Sequence, residues 1–297
     1  MTISDTQNPA INTVAARART RRMKALDVGG LLLTLVTLIF ALLWAFPLYW
    51  GIVTSLKPES QVISKTIEFV PRTWTIDAYW HVLANTMIGR WYLNSLVTSV
   101  GVTVLTLIIS ATTAYALSQL RFPGRTVIWY MILASFMVPV AALIVNHFIL
   151  MAQFGLINNW MGVILPQLIH PVVIIVYKNF FDTVPKEYRE AAKMDSASEW
   201  RIFTRIYLPM NWGITTALAI VTFIGAWNNF LWPFLAVSRP EMMNVAVGIT
   251  QVNDAFGVQY ARELSGAILA ALLVAILYLI FQRRVTQAIM LSAGVKG

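Results

Sequence analysis

Apolar residues in this chain fall in long unbroken runs rather than at the alternating spacing of half-buried strands. Six runs are roughly as long as the ~20 apolar residues a helix needs to cross a bilayer core. They are Val28–Val53, Leu93–Leu117, Val127–Met151, Met161–Tyr177, Gly213–Val237 and Leu264–Phe281. The fourth is the shortest; it contains His170-Pro171 and is expected to extend past Lys178 towards Phe181. Proline is tolerated in such helices when neighbours satisfy the freed carbonyl. The pattern predicts an all-α integral membrane fold of six transmembrane helices spanning 28–281. An N-terminal tail, 1–27, and a C-terminal tail, 282–297, flank it.

Composition agrees. The chain is 58% apolar and 12% charged, whereas soluble domains are about 45–50% apolar and about 25% charged. That excludes a disordered tail, a collagen-like rod and an ordinary soluble enzyme. The net charge of +9 would suggest nucleic acid in a soluble protein. Here the positive-inside rule explains it, so no nucleic-acid partner is expected. Alternate polar segments divide the 22 Lys and Arg into 16 on one side and 6 on the other. The richer side carries both termini, which are therefore expected in the cytoplasm. The first 30 residues are polar and basic, and the apolar run after them is too long for a signal peptide. There is no Cys, hence no disulfide, thiolate metal site or cysteine nucleophile.

None of the 13 acidic residues lies in the middle of a span, and neither does any Lys or Arg. Intramembrane charges usually mark proton relays and ion pathways, so an ion-coupled transporter is disfavoured. No phosphate-binding G-x-x-x-x-G-K-[ST] loop, H-E-x-x-H or G-x-S-x-G motif is present. The chain is expected to bind neither ATP nor a metal, and not to be an enzyme. His81, His147 and His170 are spread over one loop and two spans.

The longest connection on the basic side, 183–209, reads as two short helices with a break. Thr183 is placed to cap the first, with Pro185 in its first turn. Good helix formers follow from Glu187 to Met194. Asp195-Ser196 breaks the run, and Ser196-Ala197-Ser198-Glu199 reads as a capping box opening a second helix that ends before Pro209. Ala191 and Ala192 give the first helix a flat, small-residue face. Trp200, Phe203 and Ile206 form an apolar stripe on the second, suited to packing on the bundle or to lying on lipid headgroups.

Glu190-Ala191-Ala192, Asp195, Ile206, Leu208 and Pro209 together resemble the EAA loop of ABC-importer permeases. Asn94-Ser95-Leu96, Ala114-Tyr115-Ala116-Leu117, Arg121-Phe122-Pro123-Gly124-Arg125, Trp227-Asn228-Asn229 and Pro233 resemble the maltose-type, carbohydrate branch. So does the small-residue ending Ser292–Gly297. The resemblance covers nearly the whole chain from the first span. It implies the type I ABC importer permease fold in a bacterial cytoplasmic (inner) membrane. It also implies a second permease subunit, as a heterodimer, two ATPase subunits carrying ATP and Mg, and an extracytoplasmic substrate-binding protein. By the same resemblance Glu190, Ala191, Ala192, Asp195 and Ser196 form a coupling helix that docks on the ATPase. The family usually has Gly where Ser196 stands; Ser196 suggests a turn built on capping-box geometry instead. The tail from Gln282, with Ile289, Met290 and Leu291, is expected either between the ATPases or dipping into the membrane.

Trp227, Asn228 and Asn229 are expected mid-span in an otherwise apolar helix. Amides there either hydrogen-bond between helices or line a translocation cavity that holds sugar hydroxyls. Asn146 and His147 pose the same question; Gln167, His170 and Tyr177 are weaker candidates. The Ser/Thr series from Thr98 to Thr113 reads as packing glue. The expected function is import of a sugar, oligosaccharide or related polyol, with a stand-alone channel or facilitator as the alternative.

Overall fold

The computed structural model describes residues 28–253 and 257–292, so the N-terminal tail and the last five residues lie outside it. The described residues are helical, without a β-strand. The chain divides into two units, Met1–Gly51 and Ile52–Gly297. The first contributes most of α1 (Val28–Ser55), apolar on every side as a lipid-facing helix must be.

The second unit is built on α3 (Ile88–Gln119), preceded by the short α2 (Asp77–Asn85). The following helices are α4 (Arg125–Phe136), α5 (Ile144–Gln153), α6 (Trp160–Ile164), α7 (Pro171–Asp182), α8 (Lys186–Met194), α9 (Trp212–Trp227) and α10 (Tyr260–Ser292). Helix α10 runs through the expected boundary between the last span and the tail. Three helices, α1, α3 and α10, are long and apolar enough to cross a membrane singly. Three further candidates are bent pairs: Arg125–Phe136 with Val140–Gln153 at 96°, Trp160–Gln167 with Pro171–Asp182 at 52°, and Glu199–Met210 with Trp212–Trp227 at 80°. If each pair is one span the count is six.

Proline explains one bend directly. Pro171 cannot donate a backbone hydrogen bond, and it holds the preceding His170 extended, at φ −121° and ψ 94°. The expected fifth run, 213–237, is also not one helix. Helix α9 stops at Trp227, Asn228 caps its C-terminus, and a short helix follows at Leu231–Ala236. Trp227-Asn228-Asn229 therefore sits at a break, not mid-helix.

Helix α3 packs on α7 and α9. Its buried face is polar but small: Thr98, Ser99, Thr103, Thr106 and Ser110. Such residues let backbones approach closely, as the packing-glue reading expects. Thr98 and Thr103 return their hydroxyl protons to the carbonyls of Asn94 and Ser99, at 2.7 and 2.6 Å. Larger side chains gather at the two ends of α3. One core surrounds Tyr115, Tyr177, Phe181, Phe203 and Tyr207, beside the basic loop; the other surrounds Trp91, Val163, Trp232 and Val245.

At this second end α3 fastens the segment 240–248. The Asn94 amide donates to the carbonyls of Glu241 (2.9 Å) and Met243 (2.8 Å) and accepts from Trp160 Nε1 at 3.0 Å. Ser95 Oγ accepts from Val245 N at 2.8 Å. The Glu59 carboxylate accepts from the backbone N–H groups of Tyr260 and Ala261, both at 3.0 Å. It thereby caps α10 from 201 residues away, where the helix dipole favours an anion.

Trp91 lies flat over Gly248, where an added Cβ would fall 2.2 Å from the indole. The ring cannot yield easily, because its Nε1 donates to Pro240 O at 2.8 Å. Gly248→Ala is expected to lower the unfolding temperature of the purified protein, at an overpacking cost of about 1–3 kcal/mol. Gly89→Ala, which meets open space, is the matched control. Equal melting of Gly248→Ala and the parent would show that the ring is free to move.

Candidate functional site

The basic loop folds as two helices, but its caps differ from those expected. Thr183 does not cap α8; its hydroxyl donates back to Phe180 O at 2.7 Å, and Pro185 occupies the N-cap position. The second helix, Glu199–Ile202, is capped by Ser198, whose Oγ accepts from Arg201 N at 3.3 Å. Ser196 takes no part in that cap. It has φ +55°, the left-handed conformation for which glycine is the usual residue.

That conformation closes α8. Ser196 N donates to Lys193 O and Ala197 N to Ala192 O, both at 3.0 Å. These are the two bonds of a Schellman motif, which satisfies the last carbonyls of a helix. Ala192 and Ala197, the two residues at its ends, both pack on the core around Tyr115. Ala191 and Ala192 thus divide. Ala192 faces the bundle, while Ala191 is exposed, between exposed Tyr188 and Met194 at spacings of three residues.

After Ile202 the helix widens to a π-turn over Phe203–Tyr207 and continues to Met210, past the expected stop before Pro209. The wide turn lies just ahead of Pro209, where the α-ladder lacks a donor. Ile202, Phe203 and Tyr207 are buried, whereas Trp200 is exposed. The packing stripe is therefore 202, 203 and 207, with Ile206 at its margin.

The loop is tied to the bundle through Glu199. Its carboxylate accepts from Tyr115 Oη on α3 at 2.7 Å and from Arg189 on α8 at 2.6 Å, with Lys193 Nζ at 3.1 Å. Burial alone would raise the Glu199 pKa; the hydrogen bonds from Tyr115, Arg189 and Lys193 outweigh it and hold the carboxyl below its ordinary range. Tyr207 Oη donates to Gln119 Oε1 at 2.7 Å, and Gln119 Nε2 donates to Phe181 O at 3.2 Å. Ser118 donates to Asp182 at 2.5 Å, and Asp182 pairs with Lys178 at 2.6 Å. Two polar networks therefore tie α3 to its neighbours: one to α8 and the helix after it, the other to α7 and the π-turn.

A second cluster forms where the spans break. Asn229 Nδ2 donates to Gln167 Oε1 at 2.6 Å, and Gln167 Nε2 donates to Val163 O at 2.8 Å. Trp232 Nε1 shares that carbonyl at 3.2 Å and presents its ring to His147, 5.9 Å away and edge-on. Asn244 donates to Asn229 O at 3.0 Å. The candidates Asn229 and His147 are thus brought together through Gln167 and Trp232. Asn146 and Asn228 are exposed and outside the cluster. Trp227 is buried elsewhere, stacked on Phe223 and beside Tyr92. Trp232 and Asn244 were not singled out from sequence; tryptophan among apolar neighbours carries no sign that its N–H serves a broken helix.

Residues 106–289 match the family described as binding-protein-dependent transport system inner membrane component. The match spans more than half of the chain and includes both clusters, and the protein belongs to this family of membrane transport permeases. It is 31% identical to the arabinooligosaccharides transport system permease protein AraQ of Bacillus subtilis (strain 168), over 93% of this chain and 99% of that one. It is 29% identical to the diacetylchitobiose uptake system permease protein NgcG of Streptomyces coelicolor, over 93% and 90%. The sn-glycerol-3-phosphate transport system permease protein UgpE of Yersinia pestis is 31% identical over 84% and 92%. The fold is shared with a chain from the crystal structure of a bacterial ABC transporter involved in the import of the acidic polysaccharide alginate. The TM-score is 0.78 at 23% identity, covering 86% of this chain and 96% of that one.

Two expectations follow. A non-glycine residue in the left-handed region costs about 1 kcal/mol or more. Ser196→Gly should therefore stabilise the protein by a few tenths to about 1 kcal/mol, because glycine's larger unfolded-state entropy offsets part of the gain. A lower melting temperature would mean that Ser196 makes a compensating contact. The depressed Glu199 pKa stabilises the fold above the ordinary glutamate range and loses that contribution as pH falls through the folded-state value. Denaturation at stepped pH should show Glu199→Gln less stable than the parent at neutral pH, with the gap closing in acid. A pH-independent gap would assign the effect to shape instead of charge.

Proposed function

We propose that this chain is one of two pore-forming permease subunits of a bacterial ATP-driven importer for a sugar, oligosaccharide or related polyol or sugar derivative. It lies in the inner membrane as six spans, with both termini and the 183–209 loop cytoplasmic. A second, non-identical permease completes the pore. Two ATPase subunits bind ATP and Mg, and an extracytoplasmic binding protein delivers the substrate. Support comes from the carbohydrate relatives and from the 16-to-6 division of Lys and Arg.

The observation that carries the reading is the two-sidedness of α8. Its inner face is fixed by Arg189, Lys193 and Ala192, while Tyr188, Ala191 and Met194 are exposed. An anchored helix with a small residue between two larger apolar ones suits docking in a partner's groove. A stand-alone facilitator has no use for it. When the ATPases close, force on α8 passes through Glu199 to α3 and α7, and the bundle rocks between inward- and outward-open states as rigid bodies. Glu190, Asp195 and Ser196 flank this face. In the pore, Asn228 and Asn146 face the partner permease, and Asn229 and His147 border the path with amide and imidazole groups suited to hydroxyls. Trp227 supports them by packing.

Ala191→Glu places a charge on the docking face without touching the bundle, and burying it unpaired is costly. In the co-purified complex reconstituted with its binding protein, this variant should insert and assemble yet lose at least about tenfold in transport, equivalent to about 1.4 kcal/mol. Transport at the parental rate would rule out docking through α8.

A further inference from the structure

The polar network at Glu199 forms one wall of a cleft of about 830 Å³ between α8 and the turn joining α3 to α4. Five cationic side chains line it against three carboxylates. Two of the carboxylates are already committed. Glu199 is held by Arg189 and Lys193, and Asp182 by Lys178 and Ser118. That leaves Arg121 and Arg125 on the turn and Lys186 on α8, opposed only by the exposed Glu190. Arg125 spends one donor on Leu120 O at 3.1 Å and keeps the rest of its guanidinium. The cleft is thus a basin of excess positive charge whose two sides belong to different elements.

A second cavity of about 430 Å³ adjoins it, sharing Arg121, Phe122 and Arg125 and continuing to Val127. From Val127 the exposed face of α4 is apolar, through Ile128, Tyr130 and Met131. The polar cleft therefore opens along a greasy path onto the side of a membrane helix.

We propose that this cleft binds a phosphate group bridging Arg121 and Arg125 to Lys186, carried by the headgroup of an acidic phospholipid or by soluble phosphate. The adjoining apolar lobe favours the lipid, whose glycerol and acyl chain would follow Phe122 and Val127. Clustered juxtamembrane Lys and Arg attract anionic headgroups, and arginine suits phosphate geometry. The bridging anion braces α8 against the α3–α4 turn, so occupancy stiffens the helix that Glu199 anchors. The proposal depends on neither the transported substrate nor the ATPase.

The full chain, purified in detergent, is titrated with dioctanoyl-phosphatidylglycerol, dioctanoyl-phosphatidylcholine and inorganic phosphate. Saturable binding of the acidic lipid is expected, weakened roughly 10- to 30-fold by Arg121→Gln with Lys186→Gln and retained in Arg121→Lys with Lys186→Arg. Glu190→Gln, which removes the opposing carboxylate, should bind more tightly, a gain that misfolding does not produce. Displacement by inorganic phosphate would identify the phosphate as sufficient, and failure to displace would assign the lipid as source. Equal binding of the two lipids, or unchanged binding in the double Gln variant, overturns the proposal. So does exclusion of the acidic lipid from the co-purified complex, which would make the cleft a protein contact.

Discussion

A chain that leaves helical geometry among apolar surroundings must satisfy its own backbone groups, because no water is there to do so. Much of this architecture follows from that constraint. Three span candidates are bent by 52° to 96°, and each bend frees carbonyls and amides. Side chains likewise meet backbone groups in the irregular segments between helices. Asn94 takes two carbonyls of the 240–243 segment, Asn158 Oδ1 accepts from Ser238 N and Arg239 N, and Trp232 and Gln167 share Val163 O. Asparagine and tryptophan dominate because each places a donor or acceptor at the end of a short or rigid side chain. Asn94, Asn158 and Gln167 thus serve backbone groups that regular helix hydrogen bonding leaves over.

This decides how much could be read from the sequence. Runs of apolar residues located α1 and α3 closely and α10 over its apolar part, though not its extension to Ser292, since a continuous helix satisfies itself and needs only length and hydropathy. They could not show that 127–151 or 213–237 are interrupted. Apart from a proline, a break is stabilised by partners far along the chain, and nothing near Asn229 announces Gln167, 62 positions away, or Asn244. The loop was legible in outline for a similar reason. Helix formers ended α8 correctly at Met194. The turn chemistry was misplaced, because a serine at a left-handed position looks like a cap to any rule that assumes serines avoid positive φ. Ser198, two residues on, fits the same N-cap rule.

Ala191 and Ala192 show the same limit at the level of the site. From sequence they form one flat face. In the fold their roughly 100° separation on the helix sends Ala192 into the core with Ala197, and leaves Ala191 outside between Tyr188 and Met194. Small size serves two purposes: close packing inward at one position, close approach outward at the next. A pattern of residue types cannot separate these until the helix is rotated against something, and that rotation is set by Glu199.

Glu199 sits where three requirements meet. It begins a helix, where a carboxylate is favoured by the dipole. It neutralises Arg189 and Lys193 on α8. Through the Tyr115 hydroxyl it reaches the aromatic cluster of Phe181, Phe203 and Tyr207 in the core. An exposed ion pair is worth little, and on stability alone this one contributes about 1 kcal/mol at most. Under the proposed function its importance is mechanical. A displacement of α8 cannot be absorbed within the loop while the Schellman turn fixes one end and the carboxylate the other. It passes instead to Tyr115, and the rings packed around Tyr115 belong to α7 and to the π-turned helix leading into α9. The π-turn over Phe203–Tyr207 lies in that path, and such turns recur at functional sites. Under the proposed docking, motion applied at α8 would reach the 80° bend ahead of α9. Just past the far end of α9, Asn229 belongs to the second polar cluster, so a single helix runs between the two sites.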